Sequence, residues 1–501
     1  MKKIVQHPST QEPPASGRKP GLRLTERELQ ASTDELVIFH KLFQTVFQRR
    51  EQRKWSLFYL CGQLSNLPRK TIERMVLVLR GADRNTVRVV QRFISQGIWR
   101  AEHLIQRQQE LVADWLGDPQ GVVIVDGSGF PKQGQASVGI ARQYCGAVGK
   151  VTNSQEGVFL VYVSPHGNAF LDARLYLHES WFAADARKRW QRCGIPNDLS
   201  FQTEPNLALE MLRQLVARHS VPFRWVVADA HFGEVPAFLD DVADLGKWYL
   251  IEVPCDTRAW LHTPRVEPPG CGVMGRPRTH PRVSRHAPRR PQELRGLVKT
   301  LPASAWTRHR IKQGSKGPII ADFAFLHVTT VRDGLPGPRV WVIFRRQVCP
   351  TPELKFYLSN APASCSHAEL IRVCGLRWPV ETTLEEGKDE LGMDHYQVRS
   401  WVGWHHHIAQ TFMAHLFVIR LCLLLKKKSG VDLRPSSSVD RSGIVRRARH
   451  ASRRVSGDRV SPTVELRRVL FPSSPRAQAK ALISTWASTE RETSYSYEVS
   501  L

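Results

Sequence analysis

Three acidic residues stand where they could do chemistry. Asp126 ends the run Val122-Val123-Ile124-Val125 and is followed by Gly127, Ser128 and Gly129. Asp229 ends Phe223-Arg224-Trp225-Val226-Val227-Ala228 and is followed by Ala230. Both runs are short, apolar and rich in β-branched residues, which marks strands buried on both faces. Ligands of α/β sheets gather at strand ends, although an Asp after a strand can equally cap a helix or turn. The third acid, Glu381, lies four residues after Arg377 and seven before Lys388. At about 100° per residue, all three fall within about 40° of one helix face. That pattern is either an acid set between two cations or a surface ion-pair ladder. Carboxylates brought together repel one another unless a cation or a proton intervenes, and Mg²⁺ prefers such oxygen ligands.

The elements that would position these acids read as an α/β fold. Strand-like runs at Gly157 to Val163 and Ala169 to Leu177 are separated by the turn Ser164-Pro165-His166-Gly167-Asn168. A helix is expected from Glu204 to Arg218, a second near Glu234 to Leu245, and a strand from Trp248 to Val253. Before them, residues 31–117 carry apolar residues at helical spacing (Leu36, Phe39, Phe43; Ile72, Met75, Val76, Leu79). Basic residues interleave: Arg49, Arg50, Arg53 and Lys54, then Arg69, Lys70 and Arg74. We read this as a helical DNA-binding module; ordinary surface charge is the alternative. Residues 254–362 read as a β-rich insertion with strands at Ile319 to Thr330, Arg339 to Arg346 and Leu354 to Leu358. It splits the core into residues 118–253 and 363–428. The second part holds a helix from Ala368 to Leu391, kinked near Gly375 and Pro379, and another from Trp404 to Leu425. Residues 1–30 read as a disordered basic lead, and 429–501 as a basic, poorly ordered tail.

The bulk composition narrows the function. The chain has 501 residues, with 72 Lys and Arg against 46 Asp and Glu, a net charge of +26. A globular protein this basic is built to meet a polyanion, whose condensed counterions it releases on binding. The nine cysteines form no CxxC pair, so neither a zinc ribbon nor a disulfide framework is indicated. The polar N-terminus lacks the apolar core of a signal peptide. The most apolar stretch, Ile408 to Leu425, contains Gln410, His415 and Arg420, so a buried helix is expected rather than a membrane span.

Other clusters carry less. His405, His406 and His407 are consecutive, so on a helix they point in different directions and cannot all chelate one ion. Gly127-Ser128-Gly129 lacks the spacing of a nucleophile elbow. Arg276, Arg278, Arg282, Arg285, Arg289 and Arg290 make a basic loop that could lie on DNA.

In combination, Asp126, Asp229 and Arg377-x3-Glu381-x6-Lys388 resemble the DDE transposases of bacterial insertion sequences, in particular the group marked by a Tyr-x2-Arg-x3-Glu-x6-Lys signature. The stretches DGSGFPKQGQASVGIARQY, GSKGPIIADFAF, VRDGLPGPRVWV, LKFYLSNAP and ELGMDHYQVRSWVGWHHH read like one subgroup, and the likeness covers roughly residues 60–428. The signature tyrosine is replaced by Cys374, and Glu385 and Glu386 are rivals to Glu381 for the third acid. The resemblance implies an RNase H-like catalytic core, with the first Asp ending the first strand, the second ending the fourth, and the Glu on a later helix. It implies that Asp126, Asp229 and Glu381 hold two Mg²⁺ ions, for which Mn²⁺ would substitute. Such ions activate water or a 3′-hydroxyl and stabilise the leaving oxygen. Arg377 and Lys388 would contact DNA phosphates, and Lys132, Arg142 and Lys316 are further candidates for the DNA path. An insertion tryptophan, Trp260 or Trp306, could hold a flipped base, with core packing as the alternative. The implied partners are double-stranded DNA, both terminal inverted repeats and target, and a second copy of the chain in a DNA-bound homodimer. No membrane is implied; the location would be the bacterial cytoplasm, at the nucleoid. A non-catalytic DNA-binding relic or repressor, and a metal-dependent nuclease without strand transfer, are the alternatives.

Overall fold

The computed structural model describes residues 26–270, 278–285, 290–314, 317–349 and 352–428. The chain opens with five helices, α1 (Glu26–Lys41), α2 (Arg50–Leu64), α3 (Ile72–Arg80), α4 (Arg84–Gln96) and α5 (Ala101–Leu116). The helix therefore starts inside the segment expected to be a disordered lead. Next come β1 (Val122–Pro131), β2 (Ala141–Cys145), β3 (Lys150–Ser164), β4 (Gly167–Tyr176), α6 (Arg187–Cys193) and α7 (Glu204–Ala217). They are followed by β5 (Trp225–Ala228), the single turn α8 (Ala230–Gly233), α9 (Pro236–Asp244) and β6 (Trp248–Val253). The β-rich region holds β7 (Arg258–Trp260), β8 (Val266–Glu267), β9 (Arg282–Val283), β10 (Gln292–Glu293) and α10 (Leu294–Leu297). It continues with β11 (Thr307–Gly314), β12 (Gly317–Arg332), β13 (Leu335–Gln347) and β14 (Leu354–Ser359). The chain then forms α11 (His367–Cys374), α12 (Trp378–Glu385), a π-helical turn at Glu386–Glu390, and α13 (Trp401–Lys428).

One mixed sheet of 12 strands runs through the molecule in the order β10-β7-β12-β13-β14-β6-β5-β1-β3-β2, with β11 paired to β12 and β4 to β3. At its centre β1, β5 and β6 are parallel, and β3 and β4 continue antiparallel from β1. Val122 to Val125 and all of Trp225 to Ala228 are buried, as their uninterrupted apolar runs require. Asp229 follows the fifth strand and not the fourth, because the short hairpin strand β2 precedes β3. The strands of residues 254–362 add to the free edge of β6 through β14 and extend this sheet, apart from β8 and β9, which pair with each other in a separate two-stranded sheet.

The helix expected over 368–391 is broken, not merely kinked. α11 ends at Cys374, and Pro379 falls in the first turn of α12, where its missing N–H costs nothing.

α13 is the spine against which the rest packs. Trp404, Ile408, Phe412, Met413, Leu416 and Phe417 are all buried. Phe412 stacks on Phe170 of β4 with ring centroids 4.4 Å apart. The helix has the length and apolar content of a membrane span, but its apolar window is 78% buried within the protein, so it is a core helix. α2, α4 and α5 pack on it. The helical segment and the sheet share one hydrophobic core. α5 also repairs the sheet. The β3–β4 register slips between Leu160 and Val161, and Gln108 and Gln109 donate to the carbonyls of Phe170 (2.9 Å) and Leu171 (3.0 Å) at that irregularity.

Candidate active site

Asp126 sits inside β1, where the buried run gives way to Gly127, Ser128 and Gly129. Asp229 begins α8 and caps it, its carboxylate accepting the His231 N–H at 3.1 Å. The capping role is thus realised, and the same carboxylate lies beside Asp126, since β1 and β5 are adjacent. Glu381 lies in the first turn of α12, and Arg377, four residues earlier, donates to it at 2.7 Å. Burial, chiefly, then the Asp229 carboxylate and more weakly Glu381, push the Asp126 carboxyl up to about 7, against the pull of the Arg377 guanidinium. The Asp229 carboxyl is also raised, mainly by burial, with His231 and Arg377 opposing. Asp126, Asp229, Arg377 and Glu381 therefore form one electrostatic unit, assembled from two neighbouring strands and one helix.

The rival acids face elsewhere. Glu386 is buried against His415 of α13, with Nε2 to Oε2 3.3 Å, and Glu385 is exposed. Lys388 lies in the π-helical turn, so ideal α-helical spacing fails between it and Glu381. The wider turn still brings its ammonium to the Gly129 carbonyl (2.9 Å) and over the Phe130 ring (5.0 Å). Arg377, Glu381 and Lys388 thus converge on β1.

The remaining candidates do not join them. Lys132 is partly buried over the Tyr396 ring (3.4 Å), and its ammonium donates to the carbonyls of Tyr396 (3.3 Å) and Asp394 (3.4 Å). Burial lowers that ammonium to about 8. Arg142 is exposed on β2, and Lys316 lies outside the described residues. Trp260 is buried in the core; Trp306 is half-buried with the Arg346 guanidinium 4.2 Å above its ring. In the basic loop, Arg278 and Arg282 are paired with Glu267, while Arg276 and Arg289 lie outside the described residues. The three consecutive histidines do diverge. His405 contacts the Trp401 carbonyl of its own helix, His406 the carbonyls of Ile94 and Trp99, and His407 Tyr59 and the Met393 carbonyl.

Sequence reasoning missed two further acids. Glu156 of β3 lies opposite Gly129 in the sheet, and its Oε2 is buried without a hydrogen-bond partner. Burial, then Glu204 at the start of α7, push its carboxyl up to about 8, with Asp126 contributing and Lys388 opposing. Glu204 in turn lies 3.5 Å from His231, whose ring it raises. The signal was present in the glycines after Asp126. A Cβ at Gly129 would come within 2.9 Å of the Glu156 carboxylate, and one at Gly127 within 3.4 Å of Glu204. The Gly129 position is the tight one, since a side chain there would also meet the Cys145 sulfur at 2.5 Å, whereas the Gly127 distance is ordinary contact.

Among the described residues no three His, Cys, Asp or Glu side chains converge tightly enough to form a finished metal cage. The donor set nonetheless suits a hard divalent cation. It is all oxygen, partly desolvated and mutually repelling, which is the arrangement a cation relieves.

A relative from Microchaete diplosiphon, named as a probable transposase for insertion sequence element IS701, is 22% identical over 338 residues, 67% of this chain and 74% of its own. The NurA nuclease from Sulfolobus solfataricus aligns with 67% of this chain and 94% of its own at 9% identity, but with a TM-score of 0.21 that likeness carries no argument. The sequence profile described as DDE superfamily endonuclease matches residues 42–318, which include both aspartates at the sheet centre, and on that match the chain belongs to the DDE superfamily of endonucleases.

Proposed function

We propose that this protein is a DNA transposase that binds the terminal inverted repeats of its own element, cleaves DNA at the ends, and joins them to target DNA. The observation that carries the reading is the desolvated Asp126 carboxyl at the sheet centre, on which both the Asp229 and the Glu381 carboxylates act, with the Arg377 guanidinium between it and Glu381. The core is RNase H-like in this reading: an antiparallel β1-β3-β4 unit followed by parallel β5 and β6, with the acids on neighbouring strands and a later helix. It divides into core segments 118–253 and 363–428, the sheet extension 254–362, and a DNA-binding helical segment over 31–117.

Asp126, Asp229 and Glu381 would hold the metal, two Mg²⁺ ions or Mn²⁺ in their place, which would supply an activated oxygen nucleophile and charge relief at phosphorus. Arg377 is held by Glu381 in the free protein. With Glu381 holding a cation, the guanidinium would be free to meet a phosphate in the forked geometry it favours. Lys388 adds a second positive charge on the same side of β1. The chain acts as a homodimer that pairs both element ends, at the bacterial nucleoid.

The test is to incubate purified protein and Mg²⁺ with a labelled duplex carrying the element's ends and a target plasmid. Cuts at the ends followed by joined products support the reading. Cuts without joining would make it a nuclease, and binding without cuts a repressor or relic.

Metal binding is expected to depend on pH in a stated direction. A proton on Asp126 competes with the cation, so Mg²⁺ affinity measured by calorimetry should rise about tenfold per pH unit below about 7 and level off above it. The linked stability has the opposite sign without metal. Because the folded carboxyl is raised above its unfolded value, the metal-free protein is most stable with that proton bound. It loses this stability as pH rises through about 7. A pH-independent Mg²⁺ affinity between 6 and 8 would refute the assignment of Asp126 as ligand.

A further inference from the structure

We propose that α4 is the helix this protein lays in the major groove of double-stranded DNA, reading base edges with Asn85 and Gln96 beside the arginines Arg84, Arg88 and Arg92. The inference deepens the DNA-binding reading above and rests on it.

α4 is strongly one-sided. Thr86, Val90, Phe93 and Ile94 are buried, and they fall on one helical face. The opposite face presents Arg84, Arg88 and Arg92, with Asn85 and Gln96 at its margin, and all five are exposed. Some exposed arginines find an acid, as Arg213 does at Asp241 and Arg372 at Glu369, and others such as Arg100 and Arg142 do not; what sets α4 apart is three of them in one stripe. Arg84, Arg88 and Arg92 have no ion-pair or hydrogen-bond partner among the described residues. Like charges four residues apart weaken a helix, so this stripe is built against the helix's own interest and in favour of a polyanion. From Arg84 to Arg92 the helix rises about 12 Å, the width of the major groove. Guanidinium and carboxamide groups are the side chains that grip guanine and adenine edges with two hydrogen bonds.

The local frame is that of a helix, a tight turn and a second helix. Three residues, Gly81-Ala82-Asp83, join α3 to α4. Gly81 takes φ +79°, which a side chain would oppose, and its N–H closes α3 on the Leu77 carbonyl. Asp83 caps α4 by accepting the N–H groups of Asn85 and Thr86, both at 3.0 Å. Such a pair places its second helix in the groove and its first across the backbone. The far end of α4 is fixed to α13: the Ser400 hydroxyl donates to the Ser95 carbonyl at 3.0 Å, and the His406 ring lies 2.9 Å from the Ile94 carbonyl. The reading face is therefore set rigidly against the core that carries the acids.

The test uses the full chain and a pool of randomised duplex DNA. The Arg84→Ala/Arg88→Ala/Arg92→Ala variant should bind about 10²–10³-fold more weakly at physiological salt, with the slope of log K against log salt shallower by about 3. The Asn85→Ala/Gln96→Ala variant should keep near-wild-type affinity for the pool but enrich a different sequence, with discrimination changed about 5–100-fold at the base pairs it no longer reads. All five side chains are exposed, so melting temperatures should match the wild type. Unchanged affinity and salt slope in the arginine variant would overturn the proposal, and so would enrichment of the wild-type sequence by the amide variant. Duplex binding through α4 without any Mg²⁺-dependent cut would sink the transposase reading and leave this one standing. Cutting with silent α4 variants would do the reverse.

Discussion

Asp229→Ala is expected to lower Mg²⁺-dependent DNA cleavage by about 10³-fold or more, equivalent to about 4 kcal/mol of transition-state stabilisation. The substitution also removes the cap of α8, which costs about 1 kcal/mol of stability. Asp229→Asn separates the two effects. Its amide oxygen can still accept the His231 N–H, so the fold should melt near the wild type while cleavage stays lost. Asp126→Asn should go further. It removes a desolvated carboxyl that Asp229 and Glu381 hold up at about 7, so at alkaline pH the metal-free variant should be more stable than the wild type while being inactive. A site that trades stability for chemistry behaves in this way. Cleavage rates and melting temperatures for the three variants, measured side by side, would decide it. Residual cleavage within tenfold of wild type in either asparagine variant would remove the carboxylates from the metal site.

The second large effect lies away from the acids. His406→Ala should destabilise the fold by about 3 kcal/mol or more. Its ring is 2% exposed, stacks on Trp99 at 3.7 Å between centroids, and sets its nitrogens 2.9 Å and 2.7 Å from the carbonyls of Ile94 and Trp99. Truncation leaves a cavity and abandons buried carbonyls at the end of α4. His405→Ala should cost less, because that ring is half-buried, its one hydrogen-bond contact is the Trp401 carbonyl, and the rings it touches, Trp401 and Trp404, belong to its own helix. Denaturant midpoints rank the two, and hydrogen exchange in α4 should accelerate in His406→Ala first. The reverse ranking would mean that this histidine does not fasten α4.

Much of this architecture was legible because its signals are local. Val122 to Val125 and Trp225 to Ala228 are apolar runs that only a doubly covered strand explains. The strand Trp248 to Val253 was bounded correctly because charge and turn residues flank it. Arg377 and Glu381 pair because four residues make one helical turn. What stayed hidden depended on distant parts of the chain. Nothing near Leu354 says that β14 will pair with β6 and so merge the later strands into the central sheet. The π-helical turn that carries Lys388 to the Gly129 carbonyl has no counterpart in the spacing of its residues. Glu156 stands alone just before the apolar run from Gly157, and only the pairing of β3 with β1 brings it beside Asp126. The histidine triplet was read correctly as unable to chelate one ion. Its fastening role required knowing what each ring faces.

The closure of the early helices upon α13 has a consequence for synthesis. Tyr59 bonds to His407 and Gln63 to Thr411 across 348 residues of sequence. At translation speeds of about 5–20 residues per second, a nascent α2 must wait roughly 20–70 s for its partner. During that interval its apolar face has no native cover, and the arginine-bearing helix beside it has no fixed mount. An interrupted chain would therefore carry the basic helices without the scaffold that aims them. Assembly of the DNA-directed end and the cutting end is in effect a single late event, timed by the arrival of one helix from the ribosome.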